Sequence, residues 1–202
     1  MRKNVLLAVA LAVALLLAVA AFIAFVVAVP SYNRLVELEE RVDAAWGQVE
    51  NVYQRRADLV PNLVETVKGA AEFERGTLND VVEARSRVGS LQVSGAPSPE
   101  QLRAFEANQD ALSSALSRLL VVVERYPELT ATQAFRDLQV QLEGTENRIA
   151  VERMRFNEAA QAFNTARRRF PANLVAGWFG FDEEKPYFEA VEGAEEPPPV
   201  RF

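Results

Sequence analysis

Residues 135–170 read FRDLQVQLEGTENRIAVERMRFNEAAQAFNTARRRF. Apolar side chains recur here every seven residues, and a second, shorter row lies three residues behind the first. The first row contains Phe135, Leu142, Ile149, Phe156, Phe163 and Phe170, and the second contains Leu138, Ala159 and Ala166. A strict seven-residue repeat keeps one helix face against a partner helix and produces left-handed supercoiled packing. The stretch therefore predicts a long helix in a coiled-coil-like bundle.

The predicted helix extends from about Thr130 to Arg169. Thr130 and Gln133 have the spacing of a capping box, and Pro171 ends the helix because the residue before a proline avoids the helical region. The basic run Arg167–Arg169 fits a last turn that complements the negative end of the helix dipole.

The same repeat occurs earlier, in a helix predicted from Ser31 to about Lys68. Its seven-residue rows continue unchanged through Pro61, which indicates one kinked helix ended by Gly69 in a C-cap role. The rows are Leu35, Val42, Val49 and Leu63, and Leu38, Ala45, Val52 and Leu59. A break at Asp58 is the alternative, but the apolar frame changes only after Gly69. We therefore expect the break between residues 69 and 76.

A further helix begins at Ser98, where the order Ser98-Pro99-Glu100-Gln101 supplies an N-cap, a proline at the first position and a capping glutamine. It should end near Tyr126-Pro127. Strand signals are nearly absent, so the fold class is all-α. We predict an up-and-down antiparallel four-helix bundle with long helices, preceded by one transmembrane helix and followed by a short amphipathic segment around Leu174–Phe181.

Residues 5–29 contain no charge and consist of Val, Ala, Leu, Ile and Phe. At about 1.5 Å per residue, this run is longer than a hydrocarbon core of roughly 30 Å. A cleaved signal peptide is the alternative, but the apolar run continues past the small residues at 18–20. Arg2 and Lys3 precede the run. The positive-inside rule then predicts a cytoplasmic N-terminus, a single pass through the cell (inner) membrane, and a bundle on the outer or periplasmic side.

Composition excludes several functions. The chain has no cysteine and no histidine, so thiol nucleophiles, imidazole bases, disulfides and Cys or His metal ligands are absent. Residues 34–202 hold 20 of the 22 lysines and arginines and all 28 acidic residues, a net charge of −8. An acidic domain without a basic stripe is a poor nucleic-acid binder. We expect no nucleic-acid partner and no cofactor.

These features divide the chain into three predicted parts. Residues 1–30 form the transmembrane anchor and residues 31–190 form the helical bundle. Residues 191–202 form an acidic, proline-rich tail.

Polar residues on the first and last long helices are the candidate site. They are Arg56, Asp58, Asn62, Glu143, Glu146, Asn147, Arg148, Arg153 and Asn157. The structural interpretation is a buried network of ion pairs and amides that pairs the first helix with the last and fixes their register. The functional interpretation is a surface that binds a partner.

Three longer motifs resemble the LemA family: RRADLVPNLVETVKG at 55–69, ERYPEL at 124–129 and LEGTENRIA at 142–150. The resemblance covers residues 5–189, although Ala70 stands where the family leads us to expect an aromatic ring. It implies a bacterial membrane protein with an up-and-down helical bundle and no established catalytic activity.

Three functions are open at this stage. The first is a membrane-anchored interaction or scaffold protein of the bacterial cell envelope, with a membrane or envelope protein as partner. The second is a ligand- or peptide-binding module that uses an inter-helix groove and the Trp178-Phe179 segment. The third is an enzyme, for which Glu143 and Glu146 are the available acid and base. Because the di-iron bundle pattern needs Glu-x-x-His and no phosphate-binding loop occurs, we predict that the chain is not an enzyme.

Overall fold

The computed structural model describes residues 2–68, 75–89 and 95–189, and no β-strand occurs among them. The all-α prediction is confirmed. The helices are α1 (Arg2–Lys68), α2 (Arg75–Gly89), α3 (Pro99–Val123), α4 (Pro127–Thr130), α5 (Gln133–Arg168) and α6 (Ala172–Phe179).

Helix α1 joins the predicted anchor and the first predicted bundle helix in one uninterrupted helix. Pro30 does not break it, and next to this proline the Ser31 hydroxyl donates a hydrogen bond to the Val27 carbonyl at 2.8 Å. The alternative break at Asp58 is wrong. The structure describes α1 up to Lys68 and α2 from Arg75. The predicted break between residues 69 and 76 stays a prediction, because residues 69–74, with the proposed cap Gly69, lie outside the described residues.

Pro61 is accommodated inside α1 by a contact from α2. A proline has no backbone N–H, so the carbonyl four residues earlier, that of Ala57, lacks its helical donor. The Nε of Arg85 donates a hydrogen bond to this Ala57 carbonyl at 2.9 Å. An arginine on one helix thus replaces the amide hydrogen that proline removes from the other.

Because Arg85 supplies the donor that Pro61 lacks, we predict that the effects of substituting these two residues on the free energy of unfolding are not additive. Arg85→Met should lower the free energy of unfolding by about 1–2 kcal/mol, because a partly buried carbonyl is left without a donor. In a Pro61→Ala background the backbone N–H at position 61 satisfies that carbonyl, so the same change should cost less than half as much.

The coupling is measured by urea unfolding of the full chain in lipid nanodiscs, followed by the fluorescence of Trp46. The chain has two tryptophans, so every variant carries Trp178→Phe. Arg87→Met, on the exposed side of α2, is the matched control and should cost a few tenths of a kcal/mol. Equal costs of Arg85→Met in both backgrounds would contradict the coupling.

The start of α3 agrees with the sequence. The backbone N–H of Gln101 donates to the Ser98 hydroxyl at 3.2 Å, and the backbone N–H of Ser98 donates to the Gln101 side-chain oxygen at 2.8 Å. Both halves of the capping box are therefore present, with Pro99 in the first helical turn.

The predicted start of the last long helix is wrong by three residues. Thr130 ends the short helix α4, and α5 begins at Gln133. The Thr132 hydroxyl, rather than that of Thr130, accepts a hydrogen bond from the backbone N–H of Phe135 at 3.3 Å. The threonine closest to the first helical turn acts as the cap, because a capping oxygen must reach the second or third backbone N–H.

Contacts divide the chain into two units. The first unit contains the residues up to Arg41 together with Gln161–Glu184, and the second contains Val42–Ala160 together with the residues from Lys185 onward. Helices α1 and α5 each contribute to both.

The second unit has a continuous apolar core made by α1, α2, α3, α4 and α5. Its members include Leu63, Val67, Val81, Leu112, Leu119, Val123, Leu129, Phe135 and Leu142. The amphipathic faces read from the sequence therefore meet, and each buried leucine or phenylalanine contributes about 1.5–3 kcal/mol. The antiparallel order of four long helices stays a prediction.

The first unit contains the apolar part of α1, which the other described residues leave exposed. Within the described residues, α1 is the one helix long and apolar enough to cross a bilayer, with a window of mean hydropathy 3.1 that is 0% buried. Nearer Arg41, Leu35 and Leu38 are buried, as are Phe163 of α5 and Val175 of α6. The predicted boundaries at residues 30 and 190 stay predictions, and the tail at 191–202 lies outside the described residues.

Candidate functional site

Arg56 is the charged residue at the centre of the predicted cluster, and only 2% of its side chain is exposed. One terminal nitrogen donates to the Ser113 hydroxyl and to the Glu146 carboxylate, each at 2.9 Å. The other donates to the backbone carbonyl of Gln109 at 3.2 Å and to the side-chain oxygen of the same residue. The guanidinium also lies 5.1 Å from the centre of the Tyr53 ring.

The bonds of Arg56 join three helices. Arg56 belongs to α1, Gln109 and Ser113 to α3, and Glu146 to α5. The Glu146 side chain is half exposed, so water solvates the carboxylate while the buried guanidinium is held by polar partners. Four of its five N–H groups are used, and Nε is buried without a partner among the described atoms. Arg56 thus bonds the first long helix to the last, while the role of the cluster in setting register stays a prediction.

Arg153 and Asn157 lie one helical turn apart on α5 and hold residues 185–189, a segment that is neither helix nor strand. The Asn157 amide donates to the Phe188 carbonyl and accepts from the Phe188 backbone N–H, both at 2.9 Å. Arg153 donates to the Glu189 carbonyl at 3.1 Å and pairs with Glu106 of α3 at 2.9 Å. One side-chain amide thus satisfies both backbone groups of a single residue.

The Phe188 ring fills an aromatic pocket in the second unit. Its centre lies 6.2 Å from that of Trp46, in a stacked arrangement, and 5.4 Å from that of Phe156, edge to face. The Arg153 guanidinium lies 4.6 Å from the ring centre. Phe105 of α3 contacts Trp46 edge to face at 5.1 Å. We name this site the Phe188 groove, formed by Trp46, Phe105, Arg153, Phe156 and Asn157.

Five other predicted site residues are exposed, and within the described part of the chain they form no hydrogen bond or ion pair to another helix. The Asp58 carboxylate accepts from Gln54 at 2.8 Å, and the Glu143 carboxylate accepts from Gln139 at 3.1 Å, in each case one turn away on the same helix. The side chains of the remaining three, Asn62, Asn147 and Arg148, are exposed to solvent. The structure therefore divides the predicted cluster into the Arg56 network, the Phe188 groove and a set of surface residues.

Sequence reasoning missed Gln109 and Phe188. Gln109 has a signal in the sequence, because it occupies the seven-residue row of Leu102 and Leu116. In the structure it is 3% exposed. A polar residue in an apolar row indicates a buried partner, and Arg56 interrupts the row of Val49 and Leu63 in the same manner. Phe188 has no comparable signal in the sequence, since it lies outside the helices and belongs to no seven-residue row.

Two carboxylates near the groove have shifted pKa values. Burial raises the pKa of Glu106, and Arg153 opposes this while Asp110 and Glu189 add to it. Burial also raises the pKa of Glu50. The Trp46 side chain opposes that rise, although the indole N–H makes no hydrogen bond of ordinary geometry.

The raised pKa of Glu50 predicts a pH-dependent stability. The pKa of Glu50 is higher in the folded state than in the unfolded state. Between these two pKa values the folded protein binds more protons than the unfolded protein, so the free energy of unfolding falls as the pH rises through this range. Glu50→Gln should therefore raise the free energy of unfolding at pH 7, and the gain should disappear below the ordinary glutamate value of 4.5. Unfolding titrations at several pH values measure this, with Glu158→Gln on the exposed face of α5 as control. A gain that persists at low pH would contradict the electrostatic cause.

An open depression of about 350 Å³ lies beside the Pro61 region. Gln54 and Ala57 of α1 and Arg85, Ser86 and Gly89 of α2 line it. No group of three or more acidic side chains with metal-binding geometry occurs in the described ranges.

A family model described as "LemA family" matches residues 45–202. This match covers more than half of the chain. The chain belongs to the LemA family. The resemblance stated from the motifs at 55–69, 124–129 and 142–150 is therefore confirmed, and the Arg56 network and the Phe188 groove both lie within the matched residues.

Named relatives extend the comparison. The chain is 28% identical over 185 residues to magnetosome protein MamQ 2 of Paramagnetospirillum magneticum, covering 82% of this chain and 67% of the relative. It is 26% identical over 180 residues to magnetosome protein MamQ of Magnetospirillum gryphiswaldense, covering 80% and 66%. Protein LemA of Metamycoplasma hominis is 24% identical over 154 residues, covering 76% and 67%. This LemA-family chain thus spans about two thirds of the length of these relatives, and the similarity suggests a membrane-associated envelope protein.

Proposed function

We propose that the chain is a single-pass membrane protein whose helical bundle serves as an interaction or scaffold module of the bacterial cell envelope. The exposed apolar part of α1 carries this proposal, since its eighteen-residue window is 0% buried among the residues that the structure describes. An apolar helix without a protein cover is stable in lipid, because all its backbone groups are satisfied internally. Helix α1 then anchors the bundle directly.

The orientation follows from charge. Arg2 and Lys3 precede the span, and the sequence after it becomes acidic at Glu37, Glu39 and Glu40. A cytoplasmic N-terminus in the inner membrane and a bundle on the outer or periplasmic side satisfy the positive-inside rule.

The bundle itself is proposed as an up-and-down antiparallel arrangement of the four long helices, used for contact rather than catalysis. Arg56, which is buried, is held by hydrogen bonds to α3 and α5, and Arg153 pairs with Glu106. The exposed residues Asn147 and Arg148 on α5 offer donors to a membrane or envelope protein. No nucleic acid and no cofactor take part in this proposal.

Site-specific crosslinking in cells tests the interaction role. A photoreactive residue at Val151, an exposed position on α5, should capture one defined membrane partner, and Asn147→Ala with Arg148→Ala should abolish the product. Arg103→Ala, exposed on α3, is the matched control and should leave it unchanged. Unaltered capture by the double variant, with circular dichroism confirming the fold, would show that this face is not the interface.

The Phe188 groove supports a second candidate function, that of a peptide-binding module. The groove already holds Phe188 by its aromatic ring and by both of its main-chain hydrogen-bonding groups. Main-chain bonds supply affinity for any extended peptide and the pocket selects an aromatic side chain. A labelled peptide of residues 183–189 should bind the full chain carrying Phe188→Ala and should not bind the same chain carrying Asn157→Ala in addition. Equal binding to both would exclude the groove.

A further inference from the structure

Helix α6 presents an unusually apolar surface in the first unit. Val175 and Ala176 are buried on one side of this helix, whereas Trp178 is 81% exposed and Phe170, just before the helix, is 80% exposed. Leu174 is also exposed. Helix α6 is therefore apolar on both faces, and the rest of the unit covers only one of them.

The position of this surface is fixed by contacts with α1. Tyr32 contacts Phe179 edge to face at 5.1 Å between ring centres and Phe181 at 5.6 Å. Tyr32 follows the last residue of the apolar run, Val29, by three residues, which is about 4.5 Å along a helix. The C-terminal end of α6 therefore lies beside α1 where the apolar run ends.

The charges around α6 nearly cancel. Arg167, Arg168 and Arg169 precede the helix, Asp182, Glu183 and Glu184 follow it, and the helix has no charged residue. Arg167 also donates to the Asp182 carbonyl and pairs with Glu184 at 3.4 Å. An acidic or basic protein partner would find little net charge to recognise here, whereas a neutral, amphipathic layer matches the surface.

We propose that α6 lies in the boundary between lipid headgroups and acyl chains of the membrane that α1 crosses. Tryptophan is favoured in this layer because its ring is apolar while its N–H is polar. Phenylalanine and leucine are common on the apolar face of helices that lie in this layer. Phe170, Leu174 and Trp178 enter the layer, and Tyr32 joins α6 to the transmembrane helix. The protein thus contacts the bilayer at two places, along α1 and along α6.

The inference rests on the proposed anchoring by α1. Quenching of Trp178 by lipid tests the position of α6 separately from the anchoring by α1. The full chain is reconstituted at low density in phosphatidylcholine vesicles with or without bromine on the acyl chains, and the signal of the Trp178→Phe variant is subtracted. Trp178 should emit at short wavelength and lose most of its emission to the brominated lipid, in low and high salt alike. The Trp178→Phe variant retains Trp46, which is 1% exposed and should be quenched little.

Leu174→Asp is the disrupting variant and Val140→Asp, at an exposed position of the second unit, is its matched control. The first should shift Trp178 emission to longer wavelength and reduce its quenching, while the second should change neither. Flotation of the vesicles after alkaline carbonate washing reports anchoring by α1 independently. Protein that floats while Trp178 stays unquenched would overturn the α6 inference and leave the anchor intact. Protein that fails to float would overturn the anchor and the α6 inference together.

Discussion

Arg56→Met is expected to lower the free energy of unfolding of the full chain by about 3 kcal/mol. The change removes four hydrogen bonds that join α1, α3 and α5. It also leaves the side-chain oxygen of Gln109 buried with an apolar neighbour. The loss should lie near the lower end for buried ion pairs, because the half-exposed Glu146 carboxylate can turn to water. Urea unfolding in nanodiscs, read by Trp46 fluorescence, measures it.

Two further variants separate the loss of the guanidinium's bonds from the cost of leaving the Gln109 oxygen without a donor. Arg56→Lys keeps the charge but lacks the planar fork, so it should recover only part of the loss. Adding Gln109→Leu to Arg56→Met removes the unsatisfied oxygen and should restore part of the stability. A loss below about 0.5 kcal/mol for Arg56→Met, similar to a surface change such as Arg103→Ala, would contradict a structural role and favour the functional interpretation.

Phe188→Ala should release residues 185–189 from the groove and lower the free energy of unfolding by about 2–3 kcal/mol. Loss of a buried phenylalanine ring usually costs about 3–5 kcal/mol. Here the loss should be smaller, because residues 185–189 can detach while the helices stay folded. Only the free energy that this segment contributes is then lost. The vacated pocket admits water to Trp46, whose emission should move to longer wavelength.

Hydrogen exchange checks the release directly. The backbone N–H of Phe188 donates to the Asn157 side chain, so it should exchange slowly in the wild type and fast in both Phe188→Ala and Asn157→Ala. Met154→Ala, an exposed change on the same helix, should leave this amide protected. Fast exchange in the wild type would show that the segment does not occupy the groove in solution.

The helices could be predicted because seven-residue rows record burial directly in the sequence. The same rows also mark their exceptions, since Arg56 and Gln109 both stand where an apolar residue is expected, and the two prove to be partners. The start of α5 was misplaced because Thr130 and Thr132 are both competent caps, and tertiary contacts select between them.

The candidate site was predicted less well than the fold. The sequence analysis named Arg153 and Asn157 as candidates, but it did not find their partner Phe188, which lies 31 residues beyond Asn157 in a segment without periodicity. Asn62, Asn147 and Arg148 are of the same residue types as Arg56, Arg153 and Asn157, which are buried or half-buried. Residue type and helical spacing alone do not distinguish a polar side chain that faces a neighbouring helix from one that faces water.

The hydrogen bond from Arg85 to the Ala57 carbonyl limits which substitutions positions 61 and 85 can accept. The carbonyl needs a donor from outside α1 only while proline occupies position 61. Family members that keep the proline should therefore keep an arginine, or another long donor, on α2. Members that lose the proline should tolerate almost any residue there. The two positions should change together over evolutionary time although their side chains need not touch, because the shared partner is a backbone oxygen that no substitution can remove.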